Sequence, residues 1–364
     1  MKRLQIRVAP LFCVFALAVG IKNHVIIVPL VLQAARRDSW ISALAAIPPL
    51  LIWAYAVYTI MKRTGEESLF QWFKSRYGAF VARLVIVPFL CMLVMILYIT
   101  VLDSCTWTKV TYLPKTPFPV TVSLFVFASM LGAMKGLRTI VIASGVLLPF
   151  VILLGFFVMS VNFQFKDYTY MFPILSGGLK PVLHGMVYIL AGTTEMILVL
   201  VLRHYMVGKL RAWTFLLVVL AITELVFGPI LASITIFGPF EAADQRYPAF
   251  EQWRMVLIGK FISHLDFLSI YQWLSGSLIR LSISMFLIVD LMGLTNHRRK
   301  PLWLIGISAA LVYAVTGLKI SDNRFALFLQ DYYYPALFAF FYAFPFVLLA
   351  MIYAKRRNSA HATN

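Results

Sequence analysis

The fold is decided by an apolar segment that is long enough to cross a membrane but is interrupted at its centre. Residues 9–32 read APLFCVFALAVGIKNHVIIVPLVL, in which Gly20-Ile21-Lys22-Asn23-His24 separates two apolar halves. A second segment, residues 182–202, reads VLHGMVYILAGTTEMILVLVL and is interrupted at Ala191-Gly192-Thr193-Thr194-Glu195. An unwound helix exposes backbone groups that lipid cannot satisfy, so it is tolerated only where it lines a cavity or contacts a ligand. One interruption in each half of the chain predicts the central ligand site of an inverted-repeat transporter fold.

Composition places the chain among membrane proteins. Of its 364 residues, 62% are hydrophobic and 13% are charged, against about 25% charged in a soluble domain. The sequence predicts an all-α multi-pass membrane protein with about ten spans of roughly 20 residues each. The predicted spans are 9–34, 40–61, 79–107, 119–134, 137–160, 182–203, 212–236, 266–294, 301–318 and 332–354.

Two connecting segments are too apolar to be simple loops. Residues 68–77 and 250–262 each have an apolar and a charged face at helical spacing, as interfacial helices do. They fall at equivalent places in two five-span halves, 9–160 and 182–354, and an odd number of spans inverts the second half. We therefore predict one integral membrane domain, residues 1–354, built from two inverted repeats. A cytoplasmic tail follows at 355–364, and its polar residues 358–364 are expected to be disordered.

The net charge of +18 does not indicate nucleic-acid binding, because the charges lie in short clusters between apolar runs. If the amino terminus is cytoplasmic, 19 of the 32 basic residues fall in loops on that side, and 11 fall on the opposite side. The positive-inside rule then places both termini in the cytoplasm and the 237–265 loop outside.

The sequence gives no indication of an enzyme. No phosphate-binding loop, dinucleotide-binding fingerprint or nucleophile elbow occurs in a suitable context. No Cys/His spacing suits a metal, and we expect no metal site and no cofactor.

Several ionisable residues fall within predicted spans, where an unpaired charge costs at least about 2.5–3.5 kcal/mol. Lys22 lies near the centre of its span. It either attracts a ligand carboxylate or replaces a coupling cation, or it pairs with a buried acid such as Glu195 or Asp103 for structural reasons alone. Glu195 in turn accepts a ligand ammonium, carries a proton or pairs with Lys22. Arg280 is expected to pair within the bundle with one of two other intramembrane acids, Glu224 or Asp290.

Small residues at the second interruption would let a ligand approach the backbone. Freed N–H groups at Gly192, Thr193 and Thr194 would favour an anionic group, whereas the structural alternative is a close helix contact made by small residues. His24 is either a pore-lining polar group or a packing histidine. Tyr98, near the centre of span three, either reaches a ligand carboxylate or belongs to the core.

Longer stretches resemble the B subunits of spore germinant receptors. The resemblance lies in residues 271–280, YQWLSGSLIR, and in 250–254, FEQWR, with Asp266-Phe267-Leu268-Ser269 between them. Residues 172–175, FPIL, together with Gly178, Pro181 and Gly185, resemble that family's entry to span six. The similarity covers essentially the whole chain.

This resemblance implies the LeuT-type fold of the amino acid–polyamine–organocation superfamily, with five-plus-five inverted repeats and broken helices 1 and 6. It also implies a nutrient receptor of the spore inner membrane that acts with a membrane A subunit and a lipoprotein C subunit and binds a small amino acid. The second interruption is smaller here than in relatives, which often have bulky or aromatic residues there, so the ligand's identity stays open. The expected ligand-binding residues are Gly20, Ile21, Lys22, Asn23, His24, Tyr98, Ala191, Gly192, Thr193, Thr194, Glu195, Ser275 and Ser277.

Three functions are compatible with this fold, and the fold does not decide among them. The first is a ligand-sensing subunit in which an amino acid binds between spans one and six, contacted by spans three and eight, and shifts a bistable bundle. The second is a proton-coupled amino acid transporter in which Glu195 or Lys22 titrates. The third is a passive path for water or ions.

Overall fold

The computed structural model describes residues 5–208, 211–259, 261–318 and 320–361, with side chains described as far as 354. Two short strands are β1 (Ile6–Arg7) and β2 (Met206–Val207). The helices are α1 (Val8–Lys22), α2 (Val28–Ala35), α3 (Ser39–Thr64), α4 (Leu69–Thr111), α5 (Phe118–Lys135), α6 (Leu137–Val161), α7 (Leu179–Thr194), α8 (Val199–Leu202), α9 (Ala212–Phe237), α10 (Pro239–Asp244), α11 (Pro248–Arg254), α12 (Leu268–Leu291), α13 (Lys300–Gly317), α14 (Asp322–Phe328) and α15 (Tyr334–His361).

The predicted all-α multi-pass membrane class is confirmed. Within the described ranges, nine helical runs are long and apolar enough to cross a membrane. The first of them, Val8–Thr64, is 57 residues long and contains two predicted spans. A 3-10 turn at Arg36–Asp38, where Arg36 has φ 45 and ψ −118, divides it into two segments. Each segment exceeds the ~20 residues that a crossing needs. The inverted repeat stays a prediction.

Neither interrupted span is unwound, so that part of the prediction is wrong. A π-helix occupies Asn23–Ile27 in the first span, and a 3-10 helix occupies Glu195–Leu198 in the sixth. The residues that flank both segments keep right-handed helical backbone angles. Lys22, directly before the π turn, pairs with Glu195 and donates to the Gly192 carbonyl, so these groups are satisfied without opening of the backbone. A π turn still disturbs the regular hydrogen bonding of a helix, and such turns are frequent at functional sites.

The π turn lies where the first span passes from one group of helices to another. Before the turn, α1 packs against α12 and α6. After it, α2 packs against α7. The helices of the second group, α3, α7, α9 and α15, pack on one another, while α12 also contacts α4 and α5. The first and sixth spans therefore meet at the boundary between two helix groups.

One of the two predicted interfacial helices is found at its predicted length. Residues 69–77 are helical, and the Ser68 side chain accepts a hydrogen bond from the Gln71 N–H at 3.3 Å. Gly78, with φ 87 and ψ 168, separates this helix from the third span. The second predicted helix, 250–262, is too long, because α11 ends at Arg254. Beyond it the chain turns back so that Ile258 pairs antiparallel with Ile262.

The last span begins earlier and ends later than predicted. Helix α14 begins at Asp322, with the Ser321 hydroxyl accepting from the Arg324 N–H at 3.4 Å. A π turn at Leu329–Tyr333 leads into α15, which continues to His361. Disorder of the tail 358–364 stays a prediction, and residues 362–364 lie outside the described residues.

A two-stranded parallel pairing was not predicted. Ile6 lies opposite Met206, and Arg7 lies opposite Val207. This contact ties the start of the first span to the end of the sixth. It is too short to show as strand periodicity in the sequence.

Candidate functional site

Three buried ionised side chains meet where the first, sixth and eighth spans cross. The Glu195 carboxylate lies 2.9 Å from Lys22 Nζ through Oε1 and 2.6 Å from Arg280 Nη1 through Oε2. Arg280 Nη2 also donates to Oε1 at 3.0 Å, so the arginine pair is bidentate. Their exposed fractions are 1% for Lys22, 0% for Glu195 and 3% for Arg280. We call these three residues the charge cluster.

The remaining donors of the charge cluster also have partners. Arg280 Nε donates to Thr100 Oγ1 at 2.9 Å, and Nη1 donates to the Ala18 carbonyl at 2.8 Å. Lys22 Nζ donates to the Gly192 carbonyl and lies 5.9 Å from the centre of the Tyr334 ring. Such complete hydrogen bonding is what makes a buried charge tolerable. With all three groups ionised, the cluster has two cations and one anion and carries one net positive charge.

A small cavity lies beside the charge cluster. Its volume is about 10 Å³, which is about the minimum that holds one water molecule. Its lining combines cationic, acidic, hydroxyl and apolar side chains: Ile21, Lys22, Val25, Ile26, Thr100, Asp103, Ser104, Trp273, Ser277 and Arg280. The lining residues come from spans one, three and eight. A second cavity of about 10 Å³ lies on the other side of the Arg280–Glu195 pair, lined mainly by apolar residues of α1 and α12.

Among the described residues, Asp103 is the one acid that lines the first cavity. Its carboxylate Oδ1 accepts from Arg246 Nη2 at 2.9 Å, and it is 2% exposed. Arg246 lies in the link between α10 and α11 and also pairs with Asp322 at 3.1 Å. Burial alone would lower the pKa of Arg246, but the two carboxylates raise the pKa above its usual value. The guanidinium therefore stays charged and neutralises Asp103.

Trp273, which lines the cavity, is held by other aromatic rings. Trp273 stacks on Trp107 with ring centres 4.0 Å apart and an interplanar angle of 8°. Tyr247 meets Trp273 edge-on at 5.3 Å. Since Tyr247 follows Arg246 directly, two neighbouring residues of one link contact two cavity residues.

The structure brings together some of the sequence-predicted residues at the cavity and leaves others away from it. Ile21, Lys22 and Ser277 line it, with the Ser277 hydroxyl 2.9 Å from that of Ser104. Glu195 pairs with both Lys22 and Arg280 but does not itself line this cavity. The predicted proximity of Lys22 and Glu195 is found, and Lys22 makes no ion pair with Asp103 among the described contacts.

Other predicted residues make close helix contacts. A Cβ on Gly192 would lie 2.6 Å from Asn23 Oδ1, and one on Gly20 would lie 2.8 Å from Leu225 Cδ1. Ala191 is buried. The hydroxyls of Thr193 and Thr194 donate to carbonyls of their own helix. In this conformation these residues serve packing.

Three predicted residues lie away from the cavity lining. His24 Nδ1 is 3.2 Å from the Leu225 carbonyl, and the Ser275 hydroxyl donates to the Gln272 carbonyl at 3.2 Å. Tyr98 does not line the cavity, and Thr100 takes the place expected for it in span three. Residues two apart on a helix point about 200° apart, so Tyr98 and Thr100 cannot share a face.

Sequence reasoning missed Thr100, Asp103, Ser104, Trp273 and Arg280 as lining residues. Helical spacing carried the signal, since Thr100, Asp103 and Ser104 are spaced i, i+3, i+4, and Trp273, Ser277 and Arg280 are spaced i, i+4, i+7. Arg280 was assigned the wrong partner. It pairs with Glu195, whereas Asp290 accepts from Tyr205 and Thr295.

Comparison with known proteins agrees with the family resemblance found in the sequence. The family model described as spore germination protein matches residues 6–323. The chain is 38% identical to spore germination protein XB of Bacillus anthracis over 339 residues, which is 93% of this chain and 95% of that protein. It is 22% identical over 278 residues to putative spore germination protein YfkT of Bacillus subtilis (strain 168), covering 76% of this chain and 75% of that protein.

Proposed function

The chain belongs to the spore germination protein family, and we propose that it is the membrane subunit of a spore nutrient receptor that binds a small amino acid in the first cavity. The observation that carries the proposal is the pairing of opposite charges across that cavity. Lys22 and Arg280 contribute cationic groups, whereas Asp103 contributes a carboxylate.

A zwitterion complements these groups. Its carboxylate is attracted to the net positive charge cluster, and its ammonium group is attracted to Asp103. Charge-assisted hydrogen bonds of this kind are about twice as strong as neutral ones. Ile21, Val25, Ile26 and Trp273 leave an apolar surface for a small side chain.

Binding requires the bundle to change shape, because a volume of about 10 Å³ has room for about one water molecule. An amino acid that fits only an expanded arrangement shifts the population toward that arrangement. We propose that this shift is the germination signal. The meeting of the first, third and eighth spans at the cavity, with the sixth directly behind it, supports this view, since a change in their spacing reaches both helix groups.

Membership of the family supports a proposal for the setting of the receptor. We propose that the chain lies in the inner membrane of the spore with both termini in the cytoplasm. We further propose that it acts with a membrane A subunit and a lipoprotein C subunit. The names of its relatives support a role in germination.

A proton-coupled amino acid permease is the second candidate. It is favoured by the two cavities that lie on either side of the Arg280–Glu195 pair. Buried ionisable residues between two such spaces are typical of proton relays. In that case Glu195 or Lys22 would exchange a proton as the two cavities open in turn.

One genetic experiment tests the receptor. A spore strain that lacks this subunit is complemented with the parent chain, with Asp103→Asn or with Arg254→Gln, and germination is screened across amino acids. We expect the parent and Arg254→Gln to respond to at least one small amino acid and Asp103→Asn to lose the response. Saturable uptake of the same amino acid by proteoliposomes that contain this chain alone would instead favour the permease.

A further inference from the structure

Two neighbouring residues of the link between α10 and α11 each contact a side chain that lines the first cavity, although neither lines the cavity itself. Arg246 Nη2 lies 2.9 Å from Asp103 Oδ1, and the Tyr247 ring lies 5.3 Å from the ring of Trp273. The Arg246 guanidinium also lies over the Tyr247 ring, 4.6 Å from its centre. Asp103 and Trp273 both line the cavity. The link therefore contacts two spans through residues that a ligand would meet.

Arg246 has a second acceptor nearer the surface. Its Nε and Nη2 atoms lie 3.1 Å and 3.3 Å from the Asp322 carboxylate at the start of α14. The Asp322 side chain is 44% exposed, whereas that of Asp103 is 2% exposed. One guanidinium thus joins a buried acid, which requires a cation, to an exposed acid, which water can solvate.

We propose that Arg246 is a latch that closes the cavity and holds Asp103 in place of the ligand's ammonium group. The ammonium group competes with Arg246 for Asp103, and the displaced arginine stays with Asp322 while the link moves away. That an ammonium group is the competitor depends on the proposed function, whereas closure of the cavity by Arg246 does not.

Exchange of one cation for another explains why the latch can open. Asp103 cannot be left buried and unpaired without a large penalty, so Arg246 leaves only when another cation arrives. The cavity is too small to hold the ligand with the link in place. A two-state element that the ligand biases in one direction is what a sensor needs.

Closure is tested without any ligand by the reactivity of a cysteine in the cavity. Ser277→Cys is made in a full-length chain whose Cys13, Cys91 and Cys105 are replaced by alanine, and its reaction with N-ethylmaleimide is timed in detergent. We expect Arg246→Gln to raise the rate about tenfold, the change in open population that loss of a charge-assisted hydrogen bond produces. Arg254→Gln is the matched control. It removes an exposed arginine at the end of the adjoining helix α11, paired with Glu251, and should leave the rate unchanged.

A second variant distinguishes opening of the cavity from misfolding caused by an unpaired buried carboxylate. Asp103→Asn with Arg246→Gln removes both charges, so no unpaired carboxylate stays buried, and its rate should rise as in the single variant. Parent-like rates in both variants would overturn the latch.

Competition is tested by ligand-dependent melting of the same proteins. Glycine, L-alanine and L-valine are compared with acetate, propionate and isovalerate, which lack the ammonium group. We expect Arg246→Gln to bind the effective amino acid at least tenfold more tightly than the parent does. The matching acid should gain less, because opening of the cavity favours both ligands but only the ammonium group pairs with the freed Asp103. Unchanged amino acid affinity would overturn the competition.

The two tests separate the proposals. If cysteine reactivity responds to Arg246→Gln but no amino acid binds, the latch stands and the proposed function fails. If an amino acid binds but reactivity does not respond, the function stands and the latch fails.

Discussion

Lys22 Nζ lies 2.9 Å from Glu195 Oε1, which joins the end of α1, directly before the π turn, to the 3-10 segment of the sixth span. Arg280 reaches the same carboxylate from the eighth span. Glu195 is therefore the shared anion of two buried cations, and the three positions are not equivalent. Removing the anion leaves two charges uncompensated, whereas removing Lys22 leaves a neutral bidentate pair.

The first prediction follows from this asymmetry. Glu195→Gln should destabilise the protein by about 3–5 kcal/mol, the penalty for leaving a buried charge unpaired. Lys22→Met should cost less than about 1 kcal/mol, because the Glu195–Arg280 pair stays intact and methionine fills a similar volume. Thermal unfolding in detergent gives the order of Tm values.

The double variant Glu195→Gln with Arg280→Gln provides the internal check. It removes the anion and one cation, so it should be more stable than Glu195→Gln alone, and the coupling is read from a double-mutant cycle. Lys62→Met, at an exposed lysine, controls for general charge effects. Equal losses from Glu195→Gln and Lys22→Met would contradict the shared-anion arrangement.

The second prediction concerns Thr100, whose hydroxyl accepts from Arg280 Nε at 2.9 Å. Thr100→Val keeps the shape but leaves that donor buried without an acceptor, which should cost about 1–3 kcal/mol. Thr108→Val is the control on the same helix. Like Thr100, Thr108 donates to a carbonyl four residues earlier, but its hydroxyl accepts no bond from Arg280. A Tm loss of the same size in both variants would mean that the Arg280 contact adds nothing.

The sequence predicted the class of fold and the meeting of its first and sixth spans because these depend on local patterns. Apolar length identifies spans, and a buried charge requires a partner. The choice of partner is different. The sequence has several acids in its predicted spans, and only the packing of α1 against both α12 and the Glu195–Leu198 segment brings Glu195 to Arg280.

The backbone conformation of the two interruptions was likewise not predictable from the sequence. Glycine and polar residues in a span signal irregular backbone, but they do not distinguish unwinding from a π or 3-10 turn. Here the Lys22 ammonium reaches both Glu195 and the Gly192 carbonyl, so these three groups are satisfied while both spans stay helical. The pairing of Arg246 with Asp103 was not predictable for another reason, since the two residues are far apart in the sequence and lie on different elements.

The third prediction concerns the close approach of the first and sixth spans at Gly192. An added Cβ would lie 2.6 Å from Asn23 Oδ1 and 2.9 Å from Ile27 Cγ1. Gly192→Ala should therefore destabilise by about 1–3 kcal/mol through overpacking. Gly145→Ala is the matched helical control, because a Cβ there meets no atom within 4 Å. A Tm for Gly192→Ala at or above that of Gly145→Ala would show that the two spans have room to separate.

The last prediction concerns orientation in the membrane. The split of basic residues predicts that both termini lie in the cytoplasm. The α10–α11 link then faces outward, where Arg246 could meet an incoming ligand. Ala243 is 5% exposed and unsuited to labelling, so Glu241, an exposed residue of the same helix, is changed to cysteine in the cysteine-free chain. A membrane-impermeant maleimide should label Glu241→Cys in intact cells of an expression host and label Lys62→Cys only after permeabilisation. The reverse pattern would mean that the orientation is inverted. The latch would then lie on the cytoplasmic side, where an external nutrient does not reach it.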